Sequence, residues 1–251
     1  TEQADRVGNV THLRLTNPDF QYYGFTNLAD LEMPGWEKIV QDNLPYKRLI
    51  TQSRFAKFVS WKVDMIRDNC GVVFYSDGHL IPKANATHLF RREAMRVRES
   101  KYGLAQWKHK SLINYKRLTS SIVMYRKDTK ENVKKTMKQL VSFDDFRESD
   151  TTIYWNQCLA YDPNNSYYVG ISQRFWELYS QEHGTYRDQL LWSYVVASES
   201  IKPRKLKARR WLYENDDTAR GFGGHVYVER KQKKGDNTKK KKKDDAAVAT
   251  Q

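Results

Sequence analysis

"GVVFYSDGHLIP", residues 71–82, is the stretch on which the reading of this chain turns. Val72, Val73, Phe74 and Tyr75 form a short apolar and aromatic run of the kind that makes a buried strand. Asp77-Gly78 after it is a turn signal. His79 is surplus to a turn, and spacing alone leaves two readings open. One is a type I′ hairpin carrying an exposed histidine. The other is a metal site: residues two apart on an extended turn can send a carboxylate oxygen and an imidazole nitrogen toward one point. That pairing suits manganese or a similar divalent ion. Two ligands need a third. His225 in "GFGGHVY" (221–227) is the candidate, because the glycines before it let backbone approach a ligand closely. Taken alone, His225 reads as an ordinary loop histidine.

Working outward, "SRFAKFVSWKVDMI" (53–66) has apolar residues at helical spacing, with Ser53 as N-cap. Arg54 and Lys57 lie three apart on one face of that helix, as a diphosphate-binding pair would, or as a solvated basic face. On the other side, "THLFRREAMRVRES" (87–100) reads as a basic helix with His88, Arg91 and Arg92 clustered. Upstream, 20–27 and 35–40 read as short strands. Downstream, 120–127 reads as a strand, followed by a helix with a capping-box pattern at Asp128 and Glu131 and an apolar face of Val133, Met137, Leu140 and Val141. A strand over 151–162, a turn at 164–166, a helix over 172–184 stopped by Gly184, and a helix over 186–198 complete the pass. This alternation predicts an α/β domain with a mixed sheet. In such sheets ligands gather beyond the carboxyl ends of the strands, where Asp77 and His79 fall.

Arg187-Asp188-Gln189 opens the last helix. An acid in a first turn is stabilised by the helix dipole, which suffices to explain Asp188 structurally. The functional reading is an acid at a pocket edge with Gln189 beside it, since each sugar hydroxyl wants a donor and an acceptor. Trp155 and Trp176 are candidate sugar-stacking aromatics, with core packing the expected fate of Trp176.

The chain has 251 residues, 39% apolar and 13% aromatic, enough for a sizeable core. Its net charge is +14, of which +6 falls in residues 230–251, a lysine-rich tail expected to be disordered. The remaining +8 suits an anionic ligand, nucleotide phosphates or a polynucleotide. Cys70 and Cys158 make no disulfide framework, and Cys70 reads as a small buried residue at a strand start. The absence of an 18-residue apolar run predicts no transmembrane helix and a cytoplasmic location. The glycine-rich phosphate-loop motifs and the common hydrolase motifs do not occur in the sequence.

Several segments, in order, resemble the glycosyltransferase-like family of the plant mucilage-related and turgor-regulation proteins, which has bacterial and viral relatives. "YYGFTN" and "GWEKIV" look like its aromatic and Trp-containing strands, and "SRFAKFVSWK" is similar to its Arg-x-x-Lys helix. "VVFYSDGH" resembles its strand ending in Asp-Gly-Asn, and "HLFRRE" its His-x-x-Arg segment. "SIVMYRKDTKENVKKTMKQL" and "TTIYWNQCLAYD" follow, and "FWELYSQEHGTYRDQLLWSYVV" is the closest match. The resemblance spans roughly residues 20 to 196. It implies a GT-A type nucleotide-sugar fold over residues 1–229. The implied metal, Mn²⁺ by expectation, sits on Asp77, His79 and His225. The implied donor contacts are Arg54, Lys57, His88, Arg91, Arg187 and Gln189, with Asp188 as catalytic carboxylate. The expected activity is transfer of a sugar from a UDP-sugar to a glycan hydroxyl. A non-enzymatic basic nucleic-acid-binding module is the alternative.

Overall fold

The computed structural model describes residues 20–27, 29–32, 36–41, 44–77, 80–109, 114–206 and 212–215. The elements run β1 (Tyr23–Thr26), β2 (Glu37–Val40), α1 (Leu49–Phe58), α2 (Asp64–Asn69), β3 (Val73–Ser76) and β4 (Leu80–Pro82). Then come α3 (Thr87–Arg98), β5 (Leu104–Lys108), α4 (Tyr115–Met124), α5 (Lys130–Val141) and β6 (Tyr154–Tyr161). The described part closes with α6 (Ser166–Tyr179), α7 (Asp188–Ser198), β7 (Arg204–Lys205) and β8 (Tyr213–Asn215). The class is mixed α/β, as the alternating pattern predicts.

A four-stranded sheet in the order β3-β6-β5-β7 organises the molecule. β6 runs antiparallel to both β3 and β5, and β7 is parallel to β5. β6 carries apolar side chains on both faces because both are covered. Leu159 and Tyr161 face a large core built with α1 and α4 to α7, whose members include Phe58, Leu118, Leu140, Phe175 and Trp192. Cys158 and Ala160 face a smaller core with Phe90 and Val97 of α3. Two short pairs flank the sheet, β1 with β2 in parallel and β4 with β8 antiparallel. Among the described residues no helix is long and apolar enough to cross a membrane.

β3 and β4 do not form a hairpin. A turn does close there, with Leu80 N–H donating to the Asp77 carbonyl at 2.9 Å. The chain then leaves one sheet for another, since β3 pairs with β6 and β4 with β8.

Several local expectations need correcting. The helix expected over 53–66 is two helices split by a 3-10 turn at Ser60–Lys62. Val59 leaves helical geometry (φ −127°, ψ 23°), and the turn is held from outside: Ser60 hydrogen-bonds the Tyr161 hydroxyl, and Trp61 Nε1 donates to Ser172 Oγ at 2.8 Å. Ser53 is inside α1, not its cap. The uncapped amides of Lys47 and Arg48 donate instead to the distant Glu182 carboxylate, at 3.2 and 2.8 Å. Residues 120–127, read as a strand, lie mostly in α4, whose Asn114 cap accepts from Arg117 N–H. Tyr115, Leu118 and Ile122 give α4 a buried face at helical spacing that the window 120–127 cuts through. The cap of α5 is Thr129, one residue after the expected Asp128, and Val141 is exposed rather than part of its apolar face. The helix placed at 172–184 starts earlier, on an Asn165 cap, and ends at Tyr179. Cys70 is only partly buried and follows α2, whereas Cys158 is buried. β5 was not anticipated.

Candidate functional site

The site begins with two helices whose ends meet at the carboxyl end of β3. Positions 54 and 57 are neighbours on one face of α1, and both side chains point into the interior. Asp188 is the first residue of α7, where the helix dipole favours a carboxylate. Lys57 Nζ lies 3.0 Å from Asp188 Oδ2, and Arg54 Nε lies 3.1 Å from the same oxygen. The Arg54 contact is close enough for an ion pair but is not aligned as a hydrogen bond, so Arg54 Nε keeps unspent donor capacity.

Asp77 continues β3, its N–H donating to the Gln157 carbonyl at 2.9 Å. Its Oδ1 is 3.8 Å from Lys57 Nζ and accepts from the Tyr75 hydroxyl at 3.3 Å. Lys57 is 2% exposed and Asp188 3%. An ammonium buried this deeply needs compensation on every side. Besides the two carboxylates, the Tyr75 and Phe58 rings stand 5.2 and 5.3 Å from Nζ, within cation–π range.

Electrostatics follow from this packing. Burial alone would raise the Asp188 pKa, but Lys57, then Arg54 and Arg187, override it and hold the carboxyl well below its ordinary range. Burial likewise disfavours the charged Arg54, and Asp188 together with Tyr75, Tyr179 and Asp77 outweighs it, so its pKa is raised. Burial, aided by Asp77, pushes the Tyr75 hydroxyl far up, which keeps it a neutral donor. Three cations, Lys57, Arg54 and Arg187, thus act on the one Asp188 carboxylate, and Lys57 also faces Asp77.

The loop before α7 is pinned from the α4–α5 side. Asp128 Oδ2 accepts from the Thr185 hydroxyl and from Tyr186 N–H, the latter at 2.9 Å. Thr136 Oγ1 of α5 accepts from Thr185 N–H at 2.8 Å, and Thr185 Oγ1 accepts from Arg187 N–H at 3.0 Å. Asp128 and Thr136 therefore set the position of Arg187 and Asp188. In the sequence Asp128 carries only a capping signal, and Thr136 carries none. Beside this loop, His109 stacks on Trp155 with ring centroids 4.8 Å apart. Burial and then Lys127 lower the His109 pKa, and burial and then Arg187 lower that of Lys127.

Five expected site residues, Asp77, Arg54, Lys57, Arg187 and Asp188, are thus brought together. Others are not. His88 and Arg91 are exposed on α3, whose apolar face packs in the smaller core on the opposite side of the sheet. Gln189 Nε2 donates to the Tyr154 carbonyl at 3.2 Å, so its amide ties α7 to β6. Trp176 is core, 3% exposed, while Trp155 is partly exposed. His79 and His225, like the tail from 230 onward, lie outside the described residues.

Among the described residues no cluster of three His, Cys, Asp or Glu side chains could hold a metal. Asp77 alone is one ligand, and its Oδ1 already faces the Lys57 ammonium. These residues by themselves do not fit a divalent ion. A separate surface hollow of about 390 Å³, lined by Lys135, Lys138, Gln139, Ser142 and His183, has none of the buried ion pairs of the cluster.

Comparison with protein-family models, with curated proteins and with solved structures finds no match to this chain.

Proposed function

We propose that this protein is a glycosyltransferase that takes its sugar from a UDP-sugar of GT-A type binding mode and passes it to a glycan hydroxyl. One observation carries the reading. A buried cluster in which Lys57, Arg54 and Arg187 gather on Asp188 sits at the carboxyl end of a sheet strand, next to the partly exposed Asp77. Such an interior suits an anion, and the carboxyl edge of a sheet is where α/β folds present ligands. Lys57, Arg54 and Arg187 are preorganised to stabilise the negative charge that develops on a departing diphosphate.

Asp188 has a different part from that of a base. A carboxylate held ionised by three cations has little proton affinity, and a general base works best with a pKa near the working pH. Its role in this reading is to fix the Lys57 and Arg54 head groups. A divalent ion on Asp77 with His79 and His225 belongs to the proposal as a point to be tested.

The test is a thermal-shift screen of UDP, UDP-xylose, UDP-galactose and UDP-galacturonate, each with and without manganese. A selective ligand at 100 times its Kd stabilises the fold by about 2.7 kcal/mol through mass action. The expected result is a rise in Tm with at least one UDP-sugar. In Asp77→Ala the rise and sugar transfer should both vanish while cooperative unfolding persists. A mutant with full transfer would remove Asp77 from the site, and one with full transfer in excess chelator would remove the metal.

A further inference from the structure

The narrow layer between β6 and α7 holds a polar chain that no part of the proposed site uses. Trp192 Nε1 donates to Gln106 Oε1 at 2.8 Å, and Gln106 Nε2 donates to Asn156 Oδ1 at 2.7 Å. All three residues are buried, with Asn156 only 3% exposed. The direction of this chain is not free. An indole N–H can only donate, so Gln106 must turn its oxygen to Trp192 and its amide nitrogen to Asn156. Asn156 must then answer with its oxygen. What is left over is Asn156 Nδ2, a buried donor without a hydrogen-bond partner among the described residues.

Buried donors are rarely left without a partner, because each gives up its bond to water and gains nothing in return. This one sits beside the cluster. The ladder between β5 and β6 jumps from Gln106↔Leu159 to Trp107↔Trp155, so residues 156–158 bulge out of it. Bulges of this kind re-aim side chains next to active sites. Within this bulge, the Gln157 carbonyl accepts the Asp77 N–H. From the other side, Trp192 stands one helical turn after Asp188 on α7. The relay therefore starts one helical turn from Asp188 and ends one residue before the Gln157 carbonyl that holds Asp77.

We infer that Asn156 is a binding residue whose Nδ2 donates to a hydroxyl of the bound sugar, with Gln106 and Trp192 as positioning residues that fix its polarity. A phosphate oxygen takes donors only. A hydroxyl needs a donor and an acceptor together, and the buried Asn156 amide offers a donor with no partner among the described residues, one residue from the strand contact that holds Asp77. The inference rests on the nucleotide-sugar reading and assigns the part of the site that tells UDP-sugar from UDP.

The test measures Kd for UDP and for the best-binding member of the UDP-sugar panel by calorimetry. Asn156→Asp keeps the oxygen that Gln106 holds and replaces the donor with an acceptor. It should weaken UDP-sugar binding about tenfold more than UDP binding, since the added negative charge acts on both ligands and the lost donor on the sugar alone. Gln106→Glu should produce the same split from one residue further away, since Asn156 must then turn its nitrogen to Glu. Should either buried acid prevent folding, Asn156→Ala and Gln106→Met take their places with the same expectation, and retained UDP affinity shows that the site is intact. An unchanged UDP-sugar to UDP ratio in the variants would overturn the inference, the donor then serving an internal water. A wild type that binds UDP and UDP-sugar equally would overturn it while sparing the diphosphate site. A wild type that binds neither overturns the functional reading as well.

Discussion

Replacing Asp188 with asparagine is expected to lower the unfolding free energy by about 3–5 kcal/mol, the usual cost of removing one partner from a buried ion pair. The size follows from what is left behind. Lys57 would keep only one carboxylate, Asp77 at 3.8 Å, beside its two ring contacts, and Arg54 would lose its 3.1 Å partner, both in a buried position. Urea denaturation at neutral pH measures it. A double variant, Lys57→Met with Asp188→Asn, should cost clearly less than the sum of the two single changes, because the partners are coupled. An Asp188→Asn protein as stable as wild type would mean that the cluster is not buried as described.

The pH dependence has a definite sign. The folded pKa of Asp188 is depressed below its unfolded value, about 3.9 for a free aspartate. The group therefore stabilises the fold in full at pH above the unfolded pKa, and this contribution fades as pH falls through the folded one. The stability gap between wild type and Asp188→Asn should be flat from pH 7 to about 5 and shrink below about 4. A gap that widened on acidification would contradict the assigned charge state.

Gly184→Ala is the second large effect expected, at about 1–3 kcal/mol of destabilisation from overpacking. A Cβ there would overlap Thr136 Oγ1 and stand 3.1 Å from the Thr136 backbone nitrogen. The threonine cannot easily turn away, because it is β-branched and its Oγ1 already accepts from Thr185 N–H. The loop must move instead, and it carries Arg187 and Asp188. Ligand affinity should therefore fall along with Tm, although residue 184 touches no part of the cluster. Calorimetric Kd and thermal denaturation on the same sample separate this from an unfolding effect, and unaltered values in both would show that the loop accommodates the methyl group.

Gly184 also shows where sequence reading reaches its limit. It looks like a helix stop, yet α6 has ended at Tyr179 and the glycine serves a close approach to another helix. Asp128 misleads in the same way: local spacing presents a capping pattern, while the carboxylate reaches 57 and 58 residues ahead to hold Thr185 and Tyr186. Residues such as Arg54, Lys57, Asp77 and Asp188 could be found because charged groups at helical spacing, at a strand end and at a helix start each have a local signature. That they meet in one buried cluster is a tertiary fact. Asn156 had no signature, since its significance lies in a polarity imposed by Trp192 through Gln106. His88 and Arg91 failed as members of the cluster because adjacency in sequence does not say on which side of the sheet a helix will pack.

The switch of the chain from one sheet to another after Asp77 has a consequence for the order of assembly during synthesis. β3 must wait for β6, and β4 must wait for β8, which is the last described element. Domains emerge from the ribosome amino-terminus first, and non-local pairings form late. The turn that carries Asp77 is therefore tethered on both sides only after residue 215 has been made. Until residue 188 is made a nascent chain holds the lysine and arginine of α1 without the aspartate of α7, and until residue 215 it lacks the partner strand of β4. This places the closing of the candidate site among the final steps of folding.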